Sequence, residues 1–227
     1  MRKKYRKESG VRMKIVQPEI YIENQDWPEL LRKIEAKGRV CYKSETKIDD
    51  CSAETFIESL INRGHFSVLE HSSISVKFIV DRGVSHEIVR HRLASYSQES
   101  TRYCNYGTED NITVIDPFFF EKPLERYWWR EAVETAEQSY LELLKAGISP
   151  QEARSVLPNS LKTELWMTAN IREWLHFFNL RAAKPAHPQM RQVAIPLLLK
   201  LQELLPPIFG GLGYDKDFPE VHYAKVK

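Results

Sequence analysis

The sequence predicts an α+β fold. Some segments alternate apolar and polar residues with the two-residue period of a strand, and others carry the apolar stripe and capping residues of a helix. The two kinds follow one another irregularly, without the repeated strand-helix-strand order of a parallel α/β protein. With 227 residues, of which 42% are apolar, the chain is long enough for one sizeable domain.

The N-terminal segments begin with residues 1–12, a basic tail that we expect to be disordered. Residues 13–16 predict a first strand. Asp26 is suited to cap a following helix that has Pro28 in its first turn and ends at Gly38.

A second helix is predicted at residues 53–63, capped by Ser52 and stopped by Gly64. Residues 73–80 alternate and predict a half-buried strand. Residues 81–83 predict a turn after it.

A helix is then predicted at residues 84–93, followed by a polar loop. Residues 111–116 predict a strand closed by Pro117, and residues 124–146 predict a long amphipathic helix that ends at Gly147.

The C-terminal part predicts four further elements. These are a short helix with a capping box from residue 149 that ends at Pro158, a strand at 161–169, a helix at 171–180, and a helix at 189–205 that we expect to bend at Pro196.

Residues 90–103 hold the densest group of chemistry-bearing side chains. Three arginines, one histidine, two tyrosines and four Ser or Thr hydroxyls fall within fourteen positions. No core segment needs that set, and it suits a ligand with phosphates and a planar ring. A solvated basic face is the alternative, and for the arginines alone it is the ordinary interpretation.

A second basic group comes from Arg154 and from the helix after Asn170, which carries Arg172, His176 and Arg181. Arg172 and His176 are four residues apart and therefore neighbours on that helix. Asn170 is suited either to cap the helix or to present its amide to a ligand, and the sequence leaves both open.

Several classes of protein are excluded or disfavoured. The three cysteines, Cys41, Cys51 and Cys104, form no Cys-x-x-Cys pair, which argues against a disulfide framework and a zinc knuckle. No Gly-rich phosphate loop of the Rossmann or P-loop kind occurs. The net charge of +2 gives no bulk signal for nucleic acid, and no apolar run reaches the length of a membrane span. We expect a cytoplasmic protein without a metal site.

The spacing within the first basic group resembles the signature of the flavin-dependent thymidylate synthases. Arg90-His91-Arg92 is followed by seven residues, then Ser100, and then Arg102. Other parts match in order and spacing, from about residue 13 to the last helix: Gly64-His65 with Glu70-His71, Ala153-Arg154-x-x-Leu157-Pro158, Asn170-x-Arg172, and Phe178-Asn179-Leu180-Arg181.

The resemblance implies one domain over residues 13–227, with a mixed or antiparallel sheet flanked by helices in the thymidylate synthase-complementing protein fold. It also implies a homotetramer whose sites form between subunits. The implied reaction is the reductive methylation of dUMP to dTMP, with methylenetetrahydrofolate as carbon donor and FAD reduced by NADPH. No nucleic acid or membrane partner is implied.

The resemblance also assigns site residues. The implied flavin contacts are His65, Ser67, Arg90, His91, Arg92, Gln98, Asn170, Ile171, Arg172 and His176. The implied dUMP contacts are Glu87, Ile88, Val89, Arg90, Gln98, Glu99, Ser100, Thr101, Arg102, Arg154 and Arg181. Arg181 and Ser100 are the implied catalytic residues, and Cys104 is not implied as a nucleophile.

Two other functions remain open from the sequence. A flavoprotein reductase without methyl transfer would use the same flavin residues. A basic nucleic-acid-binding module would use the tail and the Arg90-His91-Arg92 group, but it leaves His65 and Arg181 unexplained. The sequence does not determine the choice between NADPH and NADH, the folate docking site, or the order of the chemical steps.

Overall fold

The computed structural model describes residues 13–107 and 112–227, in two compact units. The described part of the first unit comprises residues 13–17, 81–83, 99–107 and 112–162, and the second unit comprises 18–80, 84–98 and 163–227. The tail predicted at 1–12 and the first residue of the strand predicted at 111–116 lie outside the described residues. One domain over 13–227 stays a prediction.

Seven strands occur in the described chain: β1 (Lys14–Val16), β2 (Glu19–Ile22), β3 (Ser73–Asp81), β4 (Ala94–Gln98), β5 (Thr113–Ile115), β6 (Lys162–Asn170) and β7 (Lys225–Val226). The described α-helices are α1 (Trp27–Val40), α2 (Ser52–Asn62), α3 (Arg82–Ile88), α4 (Pro123–Lys145), α5 (Pro150–Ala153), α6 (Ile171–Arg181), α7 (Pro188–Leu204) and α8 (Pro206–Phe209). Short 3-10 helices lie at Glu45–Lys47, Phe66–His71, Arg154–Val156 and Glu220–His222.

In the first unit, β1 and β5 pair in parallel and α4 and α5 pack beside them. The core of this unit contains the buried residues Val114, Val133, Tyr140 and Leu161. The long helix α4 agrees with its prediction and ends before Gly147. The φ of Gly147 is 85°, a left-handed conformation that glycine adopts without strain.

The second unit is built on a five-stranded sheet in the order β4-β6-β3-β2-β7. The pairs β2–β3 and β4–β6 are antiparallel and β2–β7 is parallel, so the sheet is mixed, as predicted. Every second residue of β3 is buried from Ile74 to Val80, which is the alternation that the sequence shows. An aromatic cluster around Trp174 and Phe177 fills the core against β3, where Phe78 lies.

The predicted caps of the second unit are partly right. Asp26 accepts the main-chain N–H of Glu29 at 2.8 Å and so caps α1, as predicted. Ser52 was predicted as a cap but is the first residue of α2, and its hydroxyl donates to the buried carboxylate of Glu35 at 2.9 Å. No helix among residues 13–107 and 112–227 is both long enough and apolar enough to cross a membrane.

The segment around the basic group differs most from its prediction. The turn predicted at 81–83 is wrong, because α3 begins at Arg82 directly after β3. The helix ends at Ile88 instead of continuing to residue 93, and the predicted polar loop is the strand β4. The side chains of β4 are mostly polar and do not predict a strand. The strand forms because its main chain pairs with that of β6, in a register that places Ala94 opposite Ala169.

Candidate active site

The predicted site residues divide between the two units. Glu99, Ser100, Thr101, Arg102 and Arg154 belong to the first unit, and the remaining predicted residues belong to the second. The two sets are therefore described separately. The expected convergence of both sets on one nucleotide stays a prediction.

His91 lies at the centre of the second unit's polar groups. Its ring is 3% exposed and lies 4.9 Å from the ring of Phe177, measured between centroids. Its Nδ1 is 3.0 Å from Oε1 of Glu173, and its Nε2 accepts the Nε–H of Arg181 at 3.1 Å. Both ring nitrogens are thus used within the protein, and the implied flavin contact of His91 stays a prediction.

Arg181, the last residue of α6, is held by two partners. Its Nη1 donates to Oε2 of Glu87 at 2.9 Å, its Nη2 donates to the main-chain oxygen of Glu87 at 3.0 Å, and its Nε donates to His91. A guanidinium carries five N–H groups, so two remain beyond these three bonds to described residues. We call the connected residues Glu173, His91, Arg181 and Glu87 the His91 chain.

The electrostatics of the His91 chain favour a neutral imidazole. Burial lowers the pKa of His91 most, and the positive charge of Arg181 lowers it further, although the hydrogen bond to Glu173 acts in the opposite direction. The imidazole therefore stays an acceptor for Arg181 near neutral pH.

Two side chains of β4 form hydrogen bonds with neighbouring segments of the second unit. Tyr96 shares its hydroxyl hydrogen between the carbonyl oxygens of Ile88 and His91, at 2.9 and 2.6 Å. Burial, with a smaller effect from the charge of Glu173, raises the pKa of Tyr96 to about 12. Gln98 donates its amide to the hydroxyl oxygens of buried Ser85 and Thr163, at 2.9 and 3.2 Å.

His65 follows Gly64, whose φ of 75° closes α2. The imidazole of His65 is exposed, and its Nδ1 forms a 2.8 Å hydrogen bond with the hydroxyl of Tyr42. Both residues line a cavity of about 400 Å³ that Ser67 and Arg172 also line. The structure thus brings three of the predicted flavin residues together at one cavity.

The N-terminal end of α6 carries further predicted flavin residues. Asn170 accepts the main-chain N–H of Glu173 at 2.8 Å, so it is the helix cap. Arg172 is exposed and donates to Glu70 at 2.6 Å. Arg172 and His176 both line a second cavity of about 780 Å³.

The remaining predicted residues of the second unit differ in exposure. Arg90 and Arg92 are exposed, which suits binding to an anion. Ile88 and Ile171 are fully buried, and Val89 is half-buried. The ligand contacts implied for these three apolar residues stay predictions.

The first unit holds Arg154 directly after the buried Ala153. The short helix α5 that presents it begins with the predicted capping box, in which the main-chain N–H of Ser149 donates to Glu152 at 3.3 Å. Arg154 is exposed and donates from Nη1 to the hydroxyl of buried Thr101 at 2.9 Å.

Ser100 lies in a turn of the same unit. Its hydroxyl oxygen accepts the main-chain N–H of Arg102 at 3.3 Å, which leaves the hydroxyl hydrogen for another acceptor. Arg102 is exposed, with its guanidinium 5.5 Å from the ring centroid of Tyr103. Cys104 packs against the core of the unit.

The carboxylate of Glu99 contacts two residues of the first unit. Its Oε1 accepts the hydroxyl of Tyr106 at 2.6 Å, and its Oε2 lies 3.4 Å from the ammonium of Lys162. Burial, followed by the hydrogen bond to Glu99, raises the pKa of Tyr106. The dUMP contact implied for Glu99 stays a prediction.

His91, Glu173 and His176 bring possible metal-ligand atoms within 4.8 Å of one another. The Nε–H of Arg181 points at Nε2 of His91, and a guanidinium at that distance repels a cation. We therefore interpret the cluster as a hydrogen-bonded one, and the prediction of no metal site is unchanged.

Sequence reasoning missed three residues that hold predicted site residues in place. These are Glu173 against His91, Tyr42 against His65, and Ser85 against Gln98. Glu173 gave a partial signal, because an acid three residues after Asn170 is typical of a capped helix. That pattern does not indicate a partner 82 residues away.

Comparisons with known proteins show which family this chain resembles. The family described as thymidylate synthase complementing protein matches residues 24–207. The flavin-dependent thymidylate synthase of Geobacter sulfurreducens is 31% identical over 196 residues, which cover 83% of this chain and 84% of that protein. The one from Mycobacterium tuberculosis is 36% identical over 195 residues, which cover 78% of this chain and 77% of that protein.

A solved structure is also similar to this chain. The crystal structure of the UMP/dUMP methylase PolB from Streptomyces cacaoi, bound with 5-Br dUMP, aligns with a TM-score of 0.73 and 25% identity. The alignment covers 87% of this chain and 95% of the other. The chain belongs to the thymidylate synthase complementing protein family, that of the flavin-dependent thymidylate synthases.

Proposed function

We propose that this protein methylates dUMP to dTMP, with methylenetetrahydrofolate as carbon donor, FAD as the flavin and NADPH as the source of electrons. Family membership supports the reaction, and the similar dUMP methylase supports the nucleotide. The transfer of a methylene group and its reduction to methyl require two electrons, which NADPH provides. One dUMP, one methylenetetrahydrofolate, one NADPH and one proton give dTMP, tetrahydrofolate and NADP⁺.

The geometry of Arg181 carries this proposal. Glu87 and His91 hold three of its N–H groups, and two further N–H groups remain for a ligand. A guanidinium held rigidly in this way stabilises negative charge on the O4 side of the pyrimidine, because its dipoles need not reorganise during the reaction. That charge favours bond formation from C5 of the ring.

The phosphate of dUMP is assigned to Arg90, Arg102 and Arg154. All three are exposed, and a guanidinium binds phosphate through paired N–H groups. The hydroxyl of Ser100 donates to the nucleotide in this assignment. Fixing the nucleotide lowers the entropic part of the barrier.

The residues around His65 fit a flavin dinucleotide by the chemistry of their donors. An exposed imidazole, the hydroxyl of Ser67 and the guanidinium of Arg172 line one cavity, and they match a planar ring and a diphosphate. Asn170, His176 and Arg92 would complete the set. When bound, FAD supplies the two electrons that reduce the transferred methylene group.

A homotetramer with shared sites is part of the proposal. Helix α4 exposes Leu124 (65%), Tyr127 (48%) and Trp128 (63%), which are three and four positions apart and share one face. Large apolar side chains grouped in this way are typical of a surface that another subunit covers.

The test is an anaerobic assay of the purified protein with FAD, NADPH, methylenetetrahydrofolate and dUMP labelled with tritium at C5. We expect tritium release together with dTMP that contains the folate carbon. NADPH oxidation with no tritium release would instead identify a reductase without methyl transfer. A parallel assay with UMP in place of dUMP tests the other nucleotide that the similar methylase is named for. If the assay with dUMP gives neither released tritium nor dTMP, the proposal is overturned.

A further inference from the structure

We infer that Glu173 is a positioning residue for the proposed methylation, and this inference rests on the proposed function. Glu173 accepts the Nδ1–H of His91. The lone pair on Nε2 of His91 then faces Arg181 and fixes the orientation of its guanidinium. None of the assigned contacts to flavin or nucleotide falls on Glu173.

The first support is burial. Glu173 is 6% exposed and His91 is 3% exposed, so few water molecules can replace their hydrogen bond. Glu173 lies in the first turn of α6, where the helix dipole favours a carboxylate. The same helix carries Arg181 at its other end, so Glu173 and Arg181 approach His91 from one rigid element.

The second support is the direction of the hydrogen bonds. Nε of arginine can only donate, so Nε2 of His91 must carry a lone pair. The hydrogen of the neutral ring therefore lies on Nδ1, where Glu173 accepts it. The other tautomer would place two N–H groups face to face at Arg181 and leave the buried carboxylate without this partner.

The third support is the surroundings of His91. The charged or titratable groups that face its ring are Glu173, Arg181 and His176, whose ring centroid is 5.5 Å away. Tyr96 contacts only the main-chain oxygen of His91. Among these groups, Glu173 supplies the acceptor that selects the Nδ1–H tautomer.

The first experiment compares Glu173→Leu with Glu173→Gln in the complete enzyme loaded with FAD. Leucine fills the space without accepting a hydrogen bond, whereas the amide oxygen of glutamine still accepts one. We expect Glu173→Leu to lower kcat about 10-fold or more, with KM for dUMP changed by less than about 3-fold. Glu173→Gln should recover most of kcat.

The matched control is Glu35→Leu, which removes another fully buried carboxylate of the same unit, the partner of Arg39 and Ser52. We expect it to keep the wild-type kcat. Equal losses of kcat in Glu173→Leu and Glu35→Leu would overturn the inference, because removing any buried carboxylate would then lower kcat. No loss in Glu173→Leu would also overturn it, because the hydrogen bond to His91 would then not be needed for turnover.

A second measurement depends neither on the folding of the Glu173 variants nor on turnover. The imidazole nitrogens of wild-type protein labelled with ¹⁵N-histidine report which ring nitrogen carries hydrogen, and His91→Gln identifies the His91 signal. We expect hydrogen on Nδ1 and a lone pair on Nε2. Hydrogen on Nε2 would overturn the inference even in an active enzyme, whereas a wild-type protein that makes no dTMP would refute the proposed function and leave this result intact.

Discussion

Arg181 and Glu87 are joined twice, once through the carboxylate of Glu87 at 2.9 Å and once through its main-chain oxygen at 3.0 Å. The planar fork of a guanidinium can satisfy both acceptors at once, which a single ammonium group cannot do in the same geometry. Glu87 and His91 therefore set the position of Arg181.

Replacement of Arg181 should separate catalysis from flavin binding. We expect Arg181→Ala to lower dTMP formation by about 100-fold or more, because the group that we propose to stabilise the developing charge is lost. The purified variant should stay yellow, since Arg181 is not among the assigned flavin contacts. Arg181→Lys keeps the charge but loses the fork, and it should also be strongly impaired. A fully active or colourless Arg181→Ala protein would contradict the assignment.

The lowered pKa of His91 predicts how stability depends on pH. The unfolded chain takes up a proton on this residue near its ordinary pKa of about 6.5, while the folded protein binds it only at lower pH. The unfolded state therefore holds more protons between those two pKa values, and the contribution of His91 to stability falls as pH falls through that range.

Urea unfolding at pH 7.5 and pH 5.5 measures this effect. We expect the wild-type protein to lose more unfolding free energy between the two pH values than His91→Gln does. His86→Gln, which removes an exposed imidazole of the same unit, should retain the wild-type loss. An identical loss in wild type and His91→Gln would exclude His91 as its source.

The hydroxyl of Tyr42 should orient His65. Tyr42→Phe removes a 2.8 Å hydrogen bond to Nδ1 of His65 and keeps the ring. A bond of this kind contributes about 0.5–1.5 kcal/mol, so we expect FAD affinity to fall by about 2- to 10-fold in a titration followed by flavin fluorescence. Tyr21→Phe removes a comparable hydroxyl bond, to Glu19 on β2, and should leave the affinity unchanged. Equal affinity in Tyr42→Phe and wild type would show that His65 needs no such support.

The apolar face of α4 should contribute to assembly. Trp128→Glu places a charge among Leu124 and Tyr127, and burying that charge between subunits is unfavourable. We expect light scattering after size-exclusion chromatography to show a species smaller than the tetramer that we propose for the wild-type protein. Val221→Glu introduces the same charge at another exposed apolar residue and should stay tetrameric. A tetrameric Trp128→Glu protein would place the subunit contacts elsewhere.

Local sequence signals predicted most of the regular structure. The cap at Asp26, the alternation along β3 and the capping box at Ser149 depend on residues within a few positions of one another, and each lies where it was expected. Short β2 and β7 were not predicted, because each obtains its hydrogen bonds from strands distant in the chain. The strand β4 was not predicted for the same reason, since it pairs with the distant strand β6.

The sequence by itself determined the family, because the Arg90-His91-Arg92 spacing and the motifs after it are read along the chain. Only the tertiary structure decided how Arg181 is held. Glu173 reaches His91, and Arg181 reaches Glu87, across more than 80 positions, and a hydrogen bond depends on distance and direction in space. Residue identity supplied the possible donors and acceptors, and the packing of α6 against the segment around His91 selected which of them pair.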